Sequence, residues 1–472
     1  MPVITRIVVI GGGPAGYEAA LVAAARGPEV RVTVVDSDGI GGACVLWDCV
    51  PSKAFIDATG VRTELRRAEG LGFDIGVDDA TVTLPELNRR ALTLAVSQSV
   101  DIGTQLSNAG VTIVRGRGEL VDDVPGMAHH RVRVTASNGQ VGVLKAEVVL
   151  IATGASPRIL PNAVPDGQRI LTWRQLYNLA ELPEHLVIVG SGVTGAEFCN
   201  AYTELGVTVT VVASRDLILP HEDPDAAAVL EQVFAERGVT LVKNGRAESV
   251  TRTADGIKVA LADGREVHGS HALMSIGSTP NTAGLGLENV GIELTPSGHI
   301  PVDRVSRTPA SGVYAAGDCT GLLPLASVAA MQGRIAMYHA LGEGVNPIRL
   351  RTVASATFTR PQIAAVGIPQ RAIDDGSVPA RTIMLPLTTN ARAKMSLLRH
   401  GFVKIFCRPA TGVVIGGVVV APIASELILP IALAVQNRIS VTDLAQTLSV
   451  YPSLSGSIVE AARRLMAHDD LD

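Results

Sequence analysis

Residues 6–16 of the 472-residue chain read RIVVIGGGPAG, an apolar run that leads directly into a glycine turn. The pattern predicts a buried strand over residues 6–10, an Ala-rich helix over residues 14–25 and a second strand over residues 30–35. A strand, a glycine turn and a helix in this order are typical of a dinucleotide-binding unit, in which the helix N-terminus faces a pyrophosphate. Asp36 ends the second strand, where a carboxylate accepts hydrogen bonds from a ribose. The predicted contacts of this first turn are Gly11, Gly13, Pro14, Ala15, Gly16 and Asp36.

The same pattern returns near residue 186, where LVIVG leads into SGVTGAEFCNAYTELG and then VTVTVV. The chain is therefore predicted to contain two dinucleotide-binding units. The strand after the second turn ends without an acid, and Ser214 and Arg215 follow it. An arginine there can pair with a 2'-phosphate, which predicts that NADPH is used at least as well as NADH. The alternative is that Arg215 is a solvated loop residue. The predicted contacts of the second turn are Gly190, Gly192, Val193, Thr194, Gly195, Ser214 and Arg215.

Two further segments repeat the duplication. LIATGASPR at residues 150–158 closes a segment after the first unit, and LMSIGSTPN at residues 273–281 closes a similar one after the second. From about residue 350 the pattern changes to strand-rich stretches followed by helices, which predicts a separate α+β domain.

The composition excludes several classes of protein. Forty Lys and Arg stand against 45 Asp and Glu, a net charge of -5 that argues against a nucleic acid partner. The long apolar stretch at residues 413–435 contains Gly416, Pro422 and Glu426, so it predicts a strand, a turn and a buried helix in place of a membrane span. The N-terminal residues lack the features of a signal peptide, and five cysteines are too few for an extracellular disulfide framework. These features predict a cytoplasmic protein, and no metal site is expected.

The only closely spaced cysteines are Cys44 and Cys49, in GGACVLWDCVPSK. On an ideal helix, residues five apart have Cα atoms roughly 8 to 9 Å apart, so a disulfide needs a distorted turn. Pro51 fits the first turn of a helix, which places Cys49 at a positive helix end near Lys53, and both features stabilise a thiolate. A reactive thiol is therefore favoured over a buried one. Packed small residues are expected instead at Cys199, Cys319 and Cys407.

These motifs together resemble the flavoprotein disulfide reductases, the group that contains lipoamide dehydrogenase, glutathione reductase and mercuric reductase. The resemblance rests on the two dinucleotide units, on C-x4-C followed by VPSK, and on the segments GVYAAGDCTG and ATFTRPQIAAVG. It implies an α/β fold with two Rossmann-like domains: residues 1–160 and 273–349 for FAD, and residues 161–272 for NAD(P). Residues 350–472 would form the C-terminal α+β dimerisation domain of a homodimer, with a dimer of dimers as a further possibility.

The resemblance also implies roles for individual residues. Cys49 would lie against the flavin as the charge-transfer thiol, Cys44 would be the exchange thiol, and Lys53 would pair with Glu197 beside the nicotinamide. Asp318 would bind the ribityl chain of FAD. The further predicted cofactor contacts are Gly42, Lys53, Thr153, Gly154, Gly277, Gly317 and Asp318.

Two departures from the family pattern affect the predicted reaction. Where the family has His-Pro-Thr-x-x-Glu, which gives the partner's thiols a proton relay, this chain has Tyr451 and ends the stretch with Gly456. Ser278 stands where an arginine is frequent. The chain therefore resembles the actinobacterial lipoamide-dehydrogenase-like NAD(P)H quinone reductases, with Tyr451 among the candidate catalytic residues and a small-molecule electron acceptor as substrate. The alternatives are a lipoamide dehydrogenase or another low-molecular-weight disulfide reductase that uses Cys44 and Cys49, and a non-enzymatic flavin-binding redox sensor.

Overall fold

The computed structural model describes residues 4–74, 81–122 and 129–466, and the chain divides into two compact units. The first unit comprises Met1–Ala54, Asn88–Arg158 and Ser278–Ile348. The second comprises Phe55–Leu87, Ile159–Gly277 and Arg349–Asp472. Each unit is therefore assembled from three separate stretches of chain.

The first unit is built around one large sheet. Its strands are β1 (Thr5–Ile10), β2 (Val30–Asp36), β3 (Thr112–Val121), β4 (His130–Ala136), β5 (Val141–Ala146), β6 (Val148–Ile151), β7 (Ala155–Pro157), β16 (Ser278–Pro280) and β17 (Val313–Ala315). Its helices are α1 (Pro14–Ala24), α2 (Gly42–Leu46) and α8 (Ala326–Ala340), together with the larger parts of α3 (Cys49–Thr59) and α5 (Leu84–Asn108), whose residues are divided between the two units.

The strand order of this sheet is β17-β6-β1-β2-β3-β4-β5. The first five strands are parallel, and β3, β4 and β5 form an antiparallel meander. Ile7 and Val9 belong to one core and Val8 and Ile10 to another, because successive side chains of a strand point to opposite faces. Burial on both faces explains why β1 is an unbroken apolar run.

The described residues of the second unit form one parallel sheet and two antiparallel ones. The first elements are α4 (Val61–Gly70), β8 (Ile170–Thr172), β9 (His185–Val189), α6 (Val193–Glu204), β10 (Thr208–Val212), α7 (Pro224–Glu236), β11 (Thr240–Val242), β12 (Ala247–Arg252), β13 (Ile257–Leu261), β14 (Glu266–Gly269) and β15 (His271–Met274). The parallel sheet has the order β11-β10-β9-β15-β8, and β12, β13 and β14 form a separate antiparallel sheet.

The C-terminal part of the second unit is an α+β domain. Its elements are β18 (Ala354–Thr357), β19 (Gln362–Gly367), α9 (Gln370–Asp374), β20 (Arg381–Pro386), α10 (Ala391–Met395), β21 (Phe402–Cys407), β22 (Val414–Ala421), α11 (Ala424–Asn437), α12 (Val441–Gln446) and α13 (Gly456–Leu465). Its antiparallel sheet has the order β18-β19-β22-β21-β20. The apolar stretch at residues 413–435 forms β22 and most of α11, so it is a strand and a helix as predicted. Within the described residues, no helix is long and apolar enough to cross a membrane.

The predicted fold class is confirmed. The central strands of the two dinucleotide units follow the same plan, because the order β2-β1-β6-β17 in the first corresponds to β10-β9-β15-β8 in the second. In each case a glycine turn connects the central strand to a helix that starts at the same point, Pro14 in α1 and Val193 in α6.

Candidate functional site

The first glycine turn shows why each of its glycines is needed. Gly11 has φ +108°, and a Cβ there would collide with the carbonyl oxygen of Ala152. A Cβ at Gly16 would lie 3.0 Å from the carbonyl carbon of Gly11 and closer still to its oxygen. These two glycines therefore allow the turn itself and the packing of α1 on β1.

Gly13 differs from the other two glycines of the turn. It is the N-cap of α1 with an extended backbone at φ -69°, and Pro14 follows as the first helical residue. Among the described residues, a Cβ at Gly13 would meet the Cα of Gly42, 4.0 Å away, and no other atom within that distance. The turn therefore leaves space in front of a helix N-terminus, where an anionic group is stabilised by main-chain N–H groups.

Asp36 has a structural role that the sequence did not reveal. Its Oδ2 accepts a hydrogen bond of 2.6 Å from the main-chain N–H of Gly12. Its Oδ1 accepts further hydrogen bonds from the N–H groups of Asp38, at 2.8 Å, and Gly39, at 2.5 Å. The carboxylate predicted to bind the ribose therefore also fixes the loop that faces the phosphate.

Asp318 is a carboxyl that the described protein leaves without a hydrogen-bond partner. Burial raises the pKa of Asp318, and nearby Asp48 adds to this rise while His299 opposes it. The preceding Gly317, at φ +81°, donates its N–H to Oε1 of Gln332 at 2.9 Å. A desolvated carboxyl held on a rigid turn is suited to accept hydrogen bonds from the hydroxyl groups of a bound molecule.

The two similar segments of the sequence pair with each other in the first unit. Strand β7 is antiparallel to β16, and Pro157 lies opposite Ser278. Thr153 donates its hydroxyl to the carbonyl oxygen of Asn281 at 2.7 Å, and Asn281 donates its side-chain amide to the carbonyl oxygen of Thr153 at 2.9 Å. Gly154 then has φ +66°. Sequence analysis did not select Asn281, although its place in the repeated segment was a signal.

The two clustered cysteines lie on either side of a break between helices. Helix α2 ends at Leu46, Trp47 has φ -134°, and Cys49 is the first residue of α3. Such a break is the distorted turn that a contact between these cysteines requires. Cys44 and Cys49 are both half-buried, and their side chains share a hydrogen bond.

The environment of Cys44 favours its protonated form. The hydrogen bond with Cys49, followed by burial and the charges of Cys49 and Asp48, raises the pKa of the Cys44 thiol far above its ordinary value. Lys53, one turn along α3, opposes this rise. Cys44 is therefore a thiol at neutral pH. The other three cysteines are buried, as expected for packed residues.

The second glycine turn repeats the geometry of the first. Gly190 has φ +113°, a Cβ there would collide with the carbonyl oxygen of Ser275, and a Cβ at Gly195 would collide with that of Gly190. Gly192 is the N-cap of α6, and no atom of residues 4–74, 81–122 or 129–466 lies within 4 Å of a Cβ built there. Val193 and Thr194 begin the helix. Ser275, which sequence analysis missed, donates its hydroxyl to the carbonyl oxygens of Val189 and Gly190, both at 3.0 Å.

The residues predicted to select NADPH follow β10 directly. Ala213 is fully buried, whereas Ser214 and Arg215 are exposed. Within the described residues, the Arg215 guanidinium has no hydrogen-bond partner. Gly277, with φ +91°, is exposed at the end of the same unit.

Glu197 lies on α6 and is 3% exposed. Its Oε1 accepts a hydrogen bond of 2.9 Å from the main-chain N–H of Phe358. Lys53 belongs to the first unit and Glu197 to the second, so their pairing stays a prediction. Tyr451 is 85% exposed and follows Leu448 and Val450, which are 99% and 77% exposed.

Two dinucleotide-binding turns and a pair of contacting thiols define a pyridine-nucleotide-dependent redox protein. A family model for pyridine nucleotide-disulphide oxidoreductases matches residues 5–333, and the model of the same family's dimerisation domain matches residues 353–462. The chain belongs to the pyridine nucleotide-disulphide oxidoreductase family.

Two relatives and one solved structure illustrate the relationship. The chain is 72% identical over 470 residues to an NAD(P)H dehydrogenase (quinone) of Mycobacterium tuberculosis, an alignment that covers 99% of this chain and 95% of the relative. It superimposes on the crystal structure of LpdA from Mycobacterium tuberculosis with a TM-score of 0.94 and 71% identity, covering 98% of this chain and 100% of that one. A dihydrolipoyl dehydrogenase of Chlorobaculum tepidum is 30% identical over 460 residues, covering 97% of this chain and 96% of the relative.

The family uses FAD and NAD(P)H, and it includes a dimerisation domain that implies a homodimer. The residues of the first unit fit FAD. The space at Gly13 lies in front of a helix N-terminus, and Asp318 is a desolvated carboxyl with no hydrogen-bond partner in the part of the chain that the structure describes. The space at Gly13 suits the diphosphate of FAD, and the Asp318 carboxyl suits its hydroxylated ribityl chain.

Proposed function

We propose that this protein is a flavoenzyme that takes hydride from NAD(P)H and delivers electrons to quinone acceptors. The observation that carries the proposal is that Tyr451 and Gly456 stand where the family has its histidine and glutamate. The hydrogen bond with Cys49, which raises the pKa of the Cys44 thiol, acts in the same direction. The 72% identity to an enzyme named NAD(P)H dehydrogenase (quinone) supports it.

Disulfide reduction needs a thiolate and a base, and Cys44 and Tyr451 supply these poorly. The attacking sulfur must be a thiolate, and its hydrogen bond with Cys49 keeps Cys44 in the thiol form. A base must also accept the thiol proton, and a phenol is a much weaker proton acceptor than an imidazole near neutral pH. General acid–base groups contribute roughly 100- to 10,000-fold to a rate. We therefore expect turnover of disulfides to be lower than that of quinones by about this factor.

The residues of this chain would share the work in a simple way. Bound FAD supplies the chemistry of accepting hydride and passing electrons on. Gly13 and Asp36 hold and shape the phosphate loop, Asp318 accepts hydrogen bonds from the ribityl hydroxyls, and Gly192 faces the pyridine nucleotide. Lys53 and Glu197 would orient the nicotinamide and the flavin, between which hydride moves. Ser214 and Arg215 bind a 2'-phosphate.

The C-terminal domain would complete the site of a partner protomer. Leu448, Val450 and Tyr451 form an exposed apolar segment in the single chain, and such a segment is stabilised when a second copy covers it. In a homodimer these residues would replace a proton relay by an apolar surface, which suits the ring of a quinone.

The absence of a disulfide framework among the five cysteines supports a reducing, cytoplasmic compartment.

The test compares acceptors with a single preparation of the FAD-loaded protein. NADPH oxidation is measured with menadione, lipoamide, glutathione disulfide and mycothiol disulfide, for the wild type and for Cys44→Ser. We expect menadione turnover to exceed that of every disulfide by at least about 100-fold and to survive Cys44→Ser. Cys407→Ala, which removes a buried thiol elsewhere, is the matched control.

A second candidate is a reductase for a low-molecular-weight disulfide. The hydrogen bond between the Cys44 and Cys49 side chains favours it, because a disulfide reductase needs its two thiols side by side. Fast turnover of one disulfide that Cys44→Ser abolishes and Cys407→Ala leaves intact would select this candidate and exclude the quinone proposal.

A further inference from the structure

Helix α6 carries a row of buried polar side chains that the glycine turn does not explain. Glu197, Asn200 and Glu204 are 3%, 0% and 0% exposed. Their spacing of three and then four residues places them on one face of the helix. A row of polar groups inside a buried helix is costly unless each group has partners.

The partners come from the segment that follows β18. The N–H of Phe358 donates to Oε1 of Glu197 at 2.9 Å, and the N–H of Arg360 donates to Oδ1 of Asn200, also at 2.9 Å. The main-chain N–H groups of Phe358 and Arg360 are thus bound by two side chains of α6, those of Glu197 and Asn200. The segment is held at two points, and one of them is the carboxylate predicted to act in hydride transfer.

Arg237 reinforces the second point. Its Nη1 donates to the same Oδ1 of Asn200 at 2.9 Å, and its Nη2 donates to the carbonyl oxygen of Arg360 at 3.0 Å. Arg237 also pairs with Glu204 at 3.1 Å. Asn200 therefore accepts two hydrogen bonds, and the Arg237 side chain ties it to the segment from both sides.

Asn200 is a poor choice for stability alone. Its Nδ2 is buried without a hydrogen-bond partner among the described residues, and an unsatisfied buried donor lowers stability. Retaining this residue makes sense if the positions of the Phe358 and Arg360 N–H groups are important. The Phe358 N–H donates to the Glu197 carboxylate, so a shift of this N–H changes the position that the carboxylate prefers.

We propose that Asn200 is a positioning residue that holds the 358–360 segment on α6 and so orients the Glu197 carboxylate for hydride transfer to the flavin. The proposal rests on the proposed function only in taking Glu197 as part of the hydride-transfer site. It does not depend on which acceptor receives the electrons.

The test uses three variants of the full-length protein. Asn200→Leu removes both accepted hydrogen bonds at similar volume, and Asn200→Asp restores an oxygen acceptor at the same position. Thr63→Val is the matched control, because Thr63 donates its hydroxyl to Glu204 at the other end of the same polar row. It removes a hydrogen bond to α6 at a residue that itself bonds neither to Asn200 nor to the 358–360 segment, so it measures what a general loosening of the polar row does.

Two measurements are made on each variant. Hydrogen–deuterium exchange of the apoprotein follows the peptide that contains residues 358–360, and anaerobic stopped-flow spectroscopy of the FAD-loaded protein follows flavin reduction by NADPH. We expect Asn200→Leu to speed exchange of this peptide and to slow flavin reduction at saturating NADPH by about tenfold, the equivalent of one hydrogen bond of typical strength. The affinity for NADPH should change less than about twofold. Asn200→Asp should recover most of the reduction rate, and Thr63→Val should match the wild type in both measurements.

Each contrary result has a definite meaning. Wild-type exchange and wild-type flavin reduction in Asn200→Leu would overturn the proposal. Equal slowing in Thr63→Val, or no recovery in Asn200→Asp, would assign Asn200 to general stability and overturn it as well. No acceptor is present in the stopped-flow experiment, so its outcome is separate from that of the quinone proposal.

Discussion

Alanine substitutions at Gly13 and Gly16 of the first turn should have different effects: one should mainly weaken FAD binding and the other should mainly lower the free energy of unfolding. Gly13→Ala adds a methyl group where the nearest atom, the Cα of Gly42, is 4.0 Å away. Its backbone conformation, φ -69° and ψ -175°, is one that alanine adopts readily. The apoprotein should lose only about 0.5 kcal/mol, because alanine is a poorer N-cap than glycine.

FAD binding should respond differently to the same change. The added methyl group would occupy the space before the helix N-terminus, where the diphosphate must approach main-chain N–H groups. A hydrogen bond to a charged group is worth about 1.5–3 kcal/mol. Losing one such bond weakens FAD binding roughly 10- to 100-fold.

Gly16→Ala should act mainly on folding. Its Cβ would lie 3.0 Å from the carbonyl carbon of Gly11 and 3.2 Å from Cγ1 of Val9, and it would collide with the Gly11 oxygen. Helix α1 and strand β1 must then separate, and overpacking of this kind costs about 1–3 kcal/mol.

The assay measures two quantities for each apoprotein: the urea midpoint of unfolding, and the FAD dissociation constant from quenching of flavin fluorescence. Gly192→Ala, the corresponding change in the second turn, is the control and should leave FAD affinity unchanged. Wild-type FAD affinity in Gly13→Ala would refute the assignment of this space to the diphosphate. Equal unfolding midpoints for Gly13→Ala and Gly16→Ala would refute the packing argument.

Three further predictions follow from individual contacts. The hydrogen bond with Cys49 and burial raise the pKa of Cys44. The rate of Cys44 alkylation by iodoacetamide, measured by mass spectrometry, should therefore be low at pH 7 and should still increase with pH at pH 9. A rate that becomes constant below pH 8 would contradict this. Arg215→Ala should weaken NADPH binding selectively in titrations against NADH, and equal effects on both nucleotides would place Arg215 in solvent. Lys404 and Asp223 are each 2% exposed and 2.8 Å apart, so Lys404→Met should lower the free energy of unfolding by about 3–5 kcal/mol. Adding Asp223→Asn, which removes the stranded charge and keeps an oxygen to cap α7, should restore part of that loss in urea unfolding, and no recovery would argue against the ion pair.

The parts of the fold that depend on neighbouring residues could be predicted from the sequence. Strand β1, helix α1 and the break before Cys49 follow from apolar runs, glycine spacing and Pro51, all of which act within a few residues of chain. The division of residues 413–435 into β22 and α11 followed from the glycines of that stretch and from Pro422, which lies between the strand and the helix. Local chemistry determines these features, so local patterns reveal them.

The sequence could not reveal contacts between residues far apart in the chain. Asn281 hydrogen-bonds to Thr153, 128 residues away, and Asn200 accepts from an N–H 160 residues away. An asparagine can cap a helix, form a turn or bind a distant main chain, and its neighbours in sequence do not distinguish these roles. Asp36 was identified by its spacing, yet its hydrogen bond with Gly12 depends on how the loop folds back.

Comparison of the two glycine turns supports the predicted difference between their ligands. At the first turn Asp36 binds the N–H of Gly12, and the Gly12 carbonyl oxygen accepts the N–H of Gly41 at 2.8 Å. At the second turn the corresponding Ser191 carbonyl oxygen accepts the N–H of Leu219, also at 2.8 Å, so this contact is kept. The acid is not kept, because the residue after β10 is the fully buried Ala213. A carboxylate beside the ribose would repel a 2'-phosphate, and its loss removes that repulsion while the loop keeps its shape. We therefore predict that the second turn accepts a nucleotide with an additional negative charge more readily than the first.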